Sequence, residues 1–242
     1  FCVVCNVRYN QTFRVVFCEV NQSVVTKIIF SVLVGKLAGI PSDGVPYPIF
    51  VYVGLLLWNF FSSALSETSG TLLNNQAIIT KVYFPRLILP IASVATKLID
   101  FAIGTVMLVV LMFYYGYVPH ISGLLILPLL LLITFMASVG GGLFLSSVNV
   151  KYRDVRYAIP FFMQIMLFVT PVIYPASIAG KYSKLLALNP MMGVIQNARA
   201  AVLATAPINW LLISISLLST LLLMLFGIYF FKKTERYFAD IV

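Results

Sequence analysis

Charge is what this sequence has least of. Only 10% of its 242 residues are charged and 61% are apolar, whereas a soluble domain carries about 25% charged residues. A water-soluble globular fold is thereby excluded, because so many apolar side chains need lipid as well as a core to face. Histidine occurs once, as His120, and acids only seven times. No two acids stand at metal or general-acid spacing, so neither a resident metal nor an acid–base centre is expected. His120 follows Pro119 in a short loop and reads as a solvated residue. The three cysteines, Cys2, Cys5 and Cys18, include one Cys-x-x-Cys. No second pair or nearby histidine completes a zinc or redox set, so they read as small apolar residues. There is no G-x-x-x-x-G-K-[ST] run, and Gly140-Gly141-Gly142 lies inside an apolar block without the lysine. Any ATP used must therefore be hydrolysed on another chain. The start lacks the charged-then-apolar order of a cleavable signal peptide, and because it opens on Phe1 a true beginning upstream is expected.

What is present is apolar and comes in long blocks. Mean hydropathy is +1.03, and the blocks run for roughly 18 to 28 residues, enough to cross a hydrocarbon core of about 30 Å. The net charge of +9 does not point to nucleic acid, since the basic residues form no patch and sit at the ends of the apolar blocks. Six spans follow, at about 15–37, 48–65, 87–115, 122–148, 157–174 and 210–231. The first is poor, being interrupted by Arg14, Glu19, Asn21, Gln22 and Lys27. With the N-terminus inside, the inner connections hold Arg8, Arg14, Lys81, Arg86, Lys151, Arg153, Arg156, Lys232, Lys233 and Arg236. The outer ones hold only Lys36, Lys181, Lys184 and Arg199. That asymmetry places both termini in the cytoplasm. Tyrosines and phenylalanines gather at the block ends, as an interfacial belt requires. The chain is thus expected to be all-α. It forms one transmembrane domain over 1–242, a polytopic integral membrane protein with six transmembrane helices, a cytoplasmic coupling helix and short outer-face re-entrant helices.

Two connections are too long to be turns. Residues 66–86 carry Asn75 to Arg86, whose middle forms a short amphipathic helix ended by Pro85. Residues 175–209 are apolar but broken by Pro175, Gly180, Pro190, Gly193 and Pro207, and read as short helices dipping into the outer interface. The glycine run at 140–142 permits close approach of another helix, with a flexing point as the alternative. Lys97 and Asp100 are three apart on one helix face, and Asp100 lies about 22 Å from Tyr115 at helical rise. They read either as a locally paired couple with Lys97 reaching the interface, or as partners for another span or a water-filled path. Tyr52, Asn59, Ser63 and Ser66 form a polar stripe on the second span. Tyr157, Phe161, Gln164 and Phe168 form an aromatic stripe holding one amide on the fifth. Aromatic faces stack on sugar rings and amides bond hydroxyls, so these stripes suit a glycan route; ordinary helix packing gives a similar pattern.

Several ordered segments then carry a resemblance: Val7-Arg8-Tyr9-Asn10-Gln11-Thr12, Ile40-Pro41-Ser42-Asp43-Gly44 and Ile79-Thr80-Lys81-Val82-Tyr83-Phe84-Pro85-Arg86. They continue with Asn149-Val150-Lys151-Tyr152-Arg153-Asp154-Val155, Thr170-Pro171-Val172-Ile173-Tyr174-Pro175, Leu188-Asn189-Pro190 and Thr234-Glu235-Arg236-Tyr237-Phe238-Ala239-Asp240. Together they cover nearly the whole chain, which resembles the type-2 ABC transporter permeases that export polysaccharides such as O-antigen and teichoic acid. The resemblance implies a homodimer with a channel between protomers, two separate cytoplasmic ATP-binding subunits, and a bacterial inner-membrane location. It implies no cofactor on this chain, ATP and Mg residing on the partner. Asn75, Gln76, Ile79, Lys81, Val82, Tyr83, Phe84, Pro85 and Arg86 would belong to the coupling and gate helix. Lys151, Tyr152, Arg153 and Asp154 would lie on the same face. The first and fifth spans would line the channel, with Pro171, Tyr174, Asn189 and Pro190 at its outer mouth.

Two departures stand beside this. Family members carry an amphipathic interface helix before the Val7–Thr12 region, which this chain is expected to lack, and the first span carries Glu19 and Lys27, each costing about 3 kcal/mol near a helix centre. A truncated or degraded family member whose first helix inserts weakly is the expectation. The function expected is permease of a lipid-linked polysaccharide exporter, with a drug, lipid or lipo-oligosaccharide exporter of the same architecture as the alternative. A membrane-embedded transferase needs acids or histidines converging at one interface, and none converge.

Overall fold

A serine or threonine need not end a helix when its hydroxyl bonds back to a carbonyl three or four residues earlier. That lengthens the first described helix. The computed structural model describes residues 46–75, 86–117, 123, 125–152, 154–174, 186, 188–203 and 207–235. Helix α1 runs Tyr47–Asn74 with a proline in its first turn, where the missing N–H has no intrahelical role. It passes the expected end at Leu65 because Ser63, Ser69 and Thr71 donate to the carbonyls of Phe60, Ser66 and Glu67. The long inner connection is correspondingly shorter than hydropathy predicts.

The remaining elements are α2 (Ile88–Tyr114), α3 (Leu127–Lys151), α4 (Val155–Val169), α5 (Pro190–Leu203) and α6 (Trp210–Glu235). No strand occurs among the described residues. α1, α2, α3 and α6 are long and apolar enough to cross a membrane. The span expected at 157–174 stops earlier, at Val169, because Pro171 forces Thr170 into an extended conformation with ψ 135°. At 15 residues, α4 reaches only about 22 Å. The span expected at 15–37 lies outside the described residues.

α1 is the central helix. It packs along α2 and α3, α3 packs along α6, and α5 wedges against α6, α1 and α3. α4 rests mainly on α1 and buries only Ile159 and Met163. Core residues form two layers. One joins the start of α1 to α5, α4 and the turn at Val172, and the other joins Phe60, Ala64 and Leu72 to Val94, Val139, Leu143 and Phe231. The outward faces of α2 and α6 keep large apolar side chains exposed, among them Val106, Phe113, Leu218, Leu222 and Leu225, as lipid-facing surfaces do.

The contact of α3 with α6 has almost no side-chain layer. A Cβ on Gly140 would lie 2.6 Å from the Met224 backbone, and one on Gly227 would strike the Gly140 carbonyl. Of the two readings of the glycine run, close helix approach is the one the structure displays.

Candidate functional site

The aromatic stripe of α4 is an open face. Tyr157, Phe161 and Phe168 are 81%, 68% and 58% exposed, and Gln164 is exposed between them. Their spacing puts four apolar-faced or amide side chains along one side of a helix that the protomer covers only on the other. The stripe on α1 does not hold together in the same way. Asn59 is exposed and Ser63 half-buried, but Tyr52 is buried, and its hydroxyl donates to the Gly104 carbonyl of α2 at 3.0 Å. A phenol that has met a backbone acceptor inside the core is not at a solvent face, so Tyr52 belongs to the α1–α2 packing rather than beside Asn59 and Ser63.

Beyond α4, the residues expected at the outer mouth converge. Asn189 Nδ2 donates to Thr170 Oγ1 at 2.9 Å, and Asn189 Oδ1 accepts the Met191 N–H at 3.0 Å. One side chain thus caps the start of α5 and ties it to the turn at 170–174. Pro190 opens α5, Pro171 breaks α4, and Tyr174 folds its hydroxyl back to the Phe168 carbonyl at 3.1 Å. At the centre lies a residue that hydropathy counts only as an outer charge. Arg199 is 5% exposed. It donates to the carbonyls of Phe50 (3.3 Å), Pro171 (3.0 Å), Tyr174 (3.3 Å) and Val172, and its guanidinium lies 3.8 Å from the Phe50 ring centroid. Tyr47 closes the group by donating to the Ile173 carbonyl at 3.2 Å.

In the seam between α1 and α2, away from that turn, sits an ion cluster of which sequence spacing reveals one pair. Lys97 Nζ is 3.1 Å from Asp100 Oδ2, as the three-residue spacing predicts, and also 3.0 Å from Glu67 Oε2 on α1. One turn further along, Thr71 and Ser93 hydroxyls bond at 2.8 Å. Glu67 falls by hydropathy in the connection at 66–86, beyond the expected end of the span, so its place facing Lys97 has no signal there. Of the two readings of Lys97 and Asp100, the pair is local and at the same time bridges to another helix.

The residues expected to meet an ATPase fall partly in view. Asn75 Nδ2 donates to the Thr71 carbonyl at 2.8 Å, finishing α1, and Arg86 donates to the Glu235 carbonyl at 2.9 Å, tying the entry of α2 to the end of α6. Asn149, fully buried, donates to the Ser69 carbonyl at 3.0 Å and fastens the end of α3 to α1. Lys151, Tyr152 and Asp154 are exposed beside it, with the Lys151 ammonium 5.5 Å from the Tyr152 ring. Gln76, Ile79, Lys81, Val82, Tyr83, Phe84, Pro85 and Arg153 lie outside the described residues. No group of three or more His, Cys, Asp or Glu able to hold a metal occurs among the described residues.

Bundled helices of spanning length with apolar outward faces, and among the described residues an ion cluster held in the seam between two of them, define a multi-pass helical membrane protein. Comparison with known families narrows this. Residues 6–203 match the ABC-2 type transporter family, and the chain belongs to it. An O-antigen export system permease protein of Klebsiella pneumoniae is 27% identical over 81% of this chain and 76% of its own length. One of Myxococcus xanthus is 31% identical over 64% of this chain and 60% of its own. A polysialic acid transport protein of Escherichia coli is 21% identical over 79% and 75%.

Proposed function

We propose that this chain is the membrane-spanning subunit of an ATP-driven exporter of lipid-linked polysaccharide. The observation that carries the reading is the exposed face of Tyr157, Phe161, Gln164 and Phe168 on a helix of a transporter-family chain whose relatives are named for O-antigen and polysialic acid transport. Sugar rings offer apolar faces to aromatic side chains and hydroxyls to an amide, so a ladder of rings with one amide holds a moving glycan weakly at many points. Weak, repeated contact suits passage better than one tight site.

On this reading the protein works as a homodimer in the bacterial inner membrane, with both termini cytoplasmic and the α4 faces of two protomers lining the route. Asn59 and Ser63 extend the polar lining. Thr170–Tyr174 and Asn189–Pro190 shape the outer mouth. The segment from Asn75 to Arg86, with Lys151–Asp154 beside it, meets two copies of a separate ATP-binding subunit, which supplies ATP and Mg. The cluster of Glu67, Lys97 and Asp100 holds together the two helices that flank that segment.

Co-purification from membranes with a cognate ATP-binding subunit tests the reading, comparing the wild type with a Tyr83→Ala, Phe84→Ala variant. Association that is lost in the variant is expected. Failure of the intact chain to hold the subunit, with the chain folded and inserted, overturns the exporter assignment.

A further inference from the structure

α4 is too short to cross a bilayer, which gives its end a problem that a longer helix would not have. At 15 residues it reaches about 22 Å of a core of about 30 Å. The turn that follows is not helical, so the carbonyls of Pro171, Val172 and Tyr174 lack the partners that a continuing helix would supply. Irregular backbone at membrane depth persists only where protein satisfies it. Thr170, Pro171, Val172 and Ile173 are all buried, so water does not take that role either.

We propose that Arg199 is the positioning residue that fixes the outer end of α4, by capping the carbonyls of the 170–174 turn from α5. Its guanidinium serves three carbonyls of the turn and the Phe50 carbonyl of α1 at once. Only a planar fork with five donors can do this; a lysine ammonium is a point with three. The Phe50 ring supports the fork from one side, at 3.8 Å. Gly54 makes room on another: a Cβ there would lie 2.6 Å from Arg199 Nη2 and 2.7 Å from the Val172 carbonyl. α1, α5 and the turn that follows α4 therefore meet on one side chain, and through that turn the end of the aromatic face is held at its angle. The consequence for transport rests on the glycan reading above, since the face that Arg199 steadies is the proposed sugar-contacting one.

The test is a nitroxide side-chain label on the full chain, with its three cysteines replaced by serine. Labels go at Val169→Cys, at the end of α4, and at Ala158→Cys, near its start. In Arg199→Gln and Arg199→Lys the label at 169 is expected to become mobile while that at 158 keeps its spectrum. A spectrum at 169 that stays unchanged overturns the proposal, as does a loosening shared equally by both positions. Restoration of the wild-type spectrum by lysine also overturns it, because charge alone would then suffice. Gly54→Ala keeps the arginine but displaces its fork, and should loosen 169 in the same way even if the Arg199 variants fail to fold. Export in unlabelled Arg199→Lys separates the two layers. Loss of surface glycan is expected; loosening at 169 with export intact leaves the positioning role standing and refutes the glycan route.

Discussion

Replacing Lys97 by methionine keeps the length and apolar stem of the side chain and removes only its charge. The Lys97 side chain is 9% exposed, and its ammonium sits 3.0 Å and 3.1 Å from the carboxylates of Glu67 and Asp100, whose side chains are 34% and 27% exposed. Removing one member of a fully buried pair costs about 3 to 5 kcal/mol, while an exposed pair contributes about 0 to 1 kcal/mol. A buried cation between two partly buried anions falls between these limits, at about 2 kcal/mol. For a chain of this size that lowers the melting midpoint by roughly 4 to 8 °C. The variant also leaves two negative charges close together, so a second change, Glu67→Gln, should recover part of the loss. The double variant is then less destabilised than the sum of the singles, which is the signature of direct coupling. Thermal unfolding of the four purified proteins in one detergent measures all of this. A midpoint for Lys97→Met within about 1 °C of wild type, or strict additivity of the two changes, refutes the claim that this cluster joins α1 to α2.

Three further outcomes follow from the packing. Gly227→Ala should separate α3 from α6, because the added carbon strikes the Gly140 carbonyl, at an overpacking cost of about 1 to 3 kcal/mol; detergent melting reads it, and an unchanged midpoint contradicts the close crossing. Asn189→Ala removes both the cap of α5 and the bond to Thr170, and should cost about 1 to 2 kcal/mol, seen as lower unfolding resistance with assembly retained. Tyr52→Phe and Phe161→Ala should divide in opposite ways. The first loses one internal hydrogen bond, worth about 1 kcal/mol, and keeps export. The second keeps stability, being 68% exposed, and loses export.

Much of the helix order was legible because long apolar blocks in a chain this poor in charge have few alternatives. α2, α3 and α6 sit close to where hydropathy puts them. The errors arose where a polar residue finds its partner inside the structure. Ser66, Glu67, Ser69 and Thr71 fall by hydropathy in the connection at 66–86, yet the hydroxyls of Ser69 and Thr71 bond within α1 and Glu67 meets Lys97 of the next helix. Arg199 read as an outer-side charge, and no local pattern reveals that four carbonyls from two distant segments surround it. Tyr52 fell on a polar stripe by spacing alone, but spacing does not say which neighbour covers a face, and α2 covers that one. Asn189-Pro190 and Thr170-Pro171 were visible as motifs; that they bond to each other belongs to the fold. The aromatic stripe of α4 is open because a short peripheral helix has few neighbours to cover it.

The most direct test of the account is reconstitution of the chain with an ATP-binding subunit in liposomes, measuring ATP-dependent movement of a lipid-linked polysaccharide across the bilayer. Movement is expected to require ATP and to fall sharply in Phe161→Ala and Phe168→Ala while the complex stays assembled and hydrolyses ATP. Movement undiminished by both substitutions, or no movement from an assembled, ATP-hydrolysing complex, contradicts it.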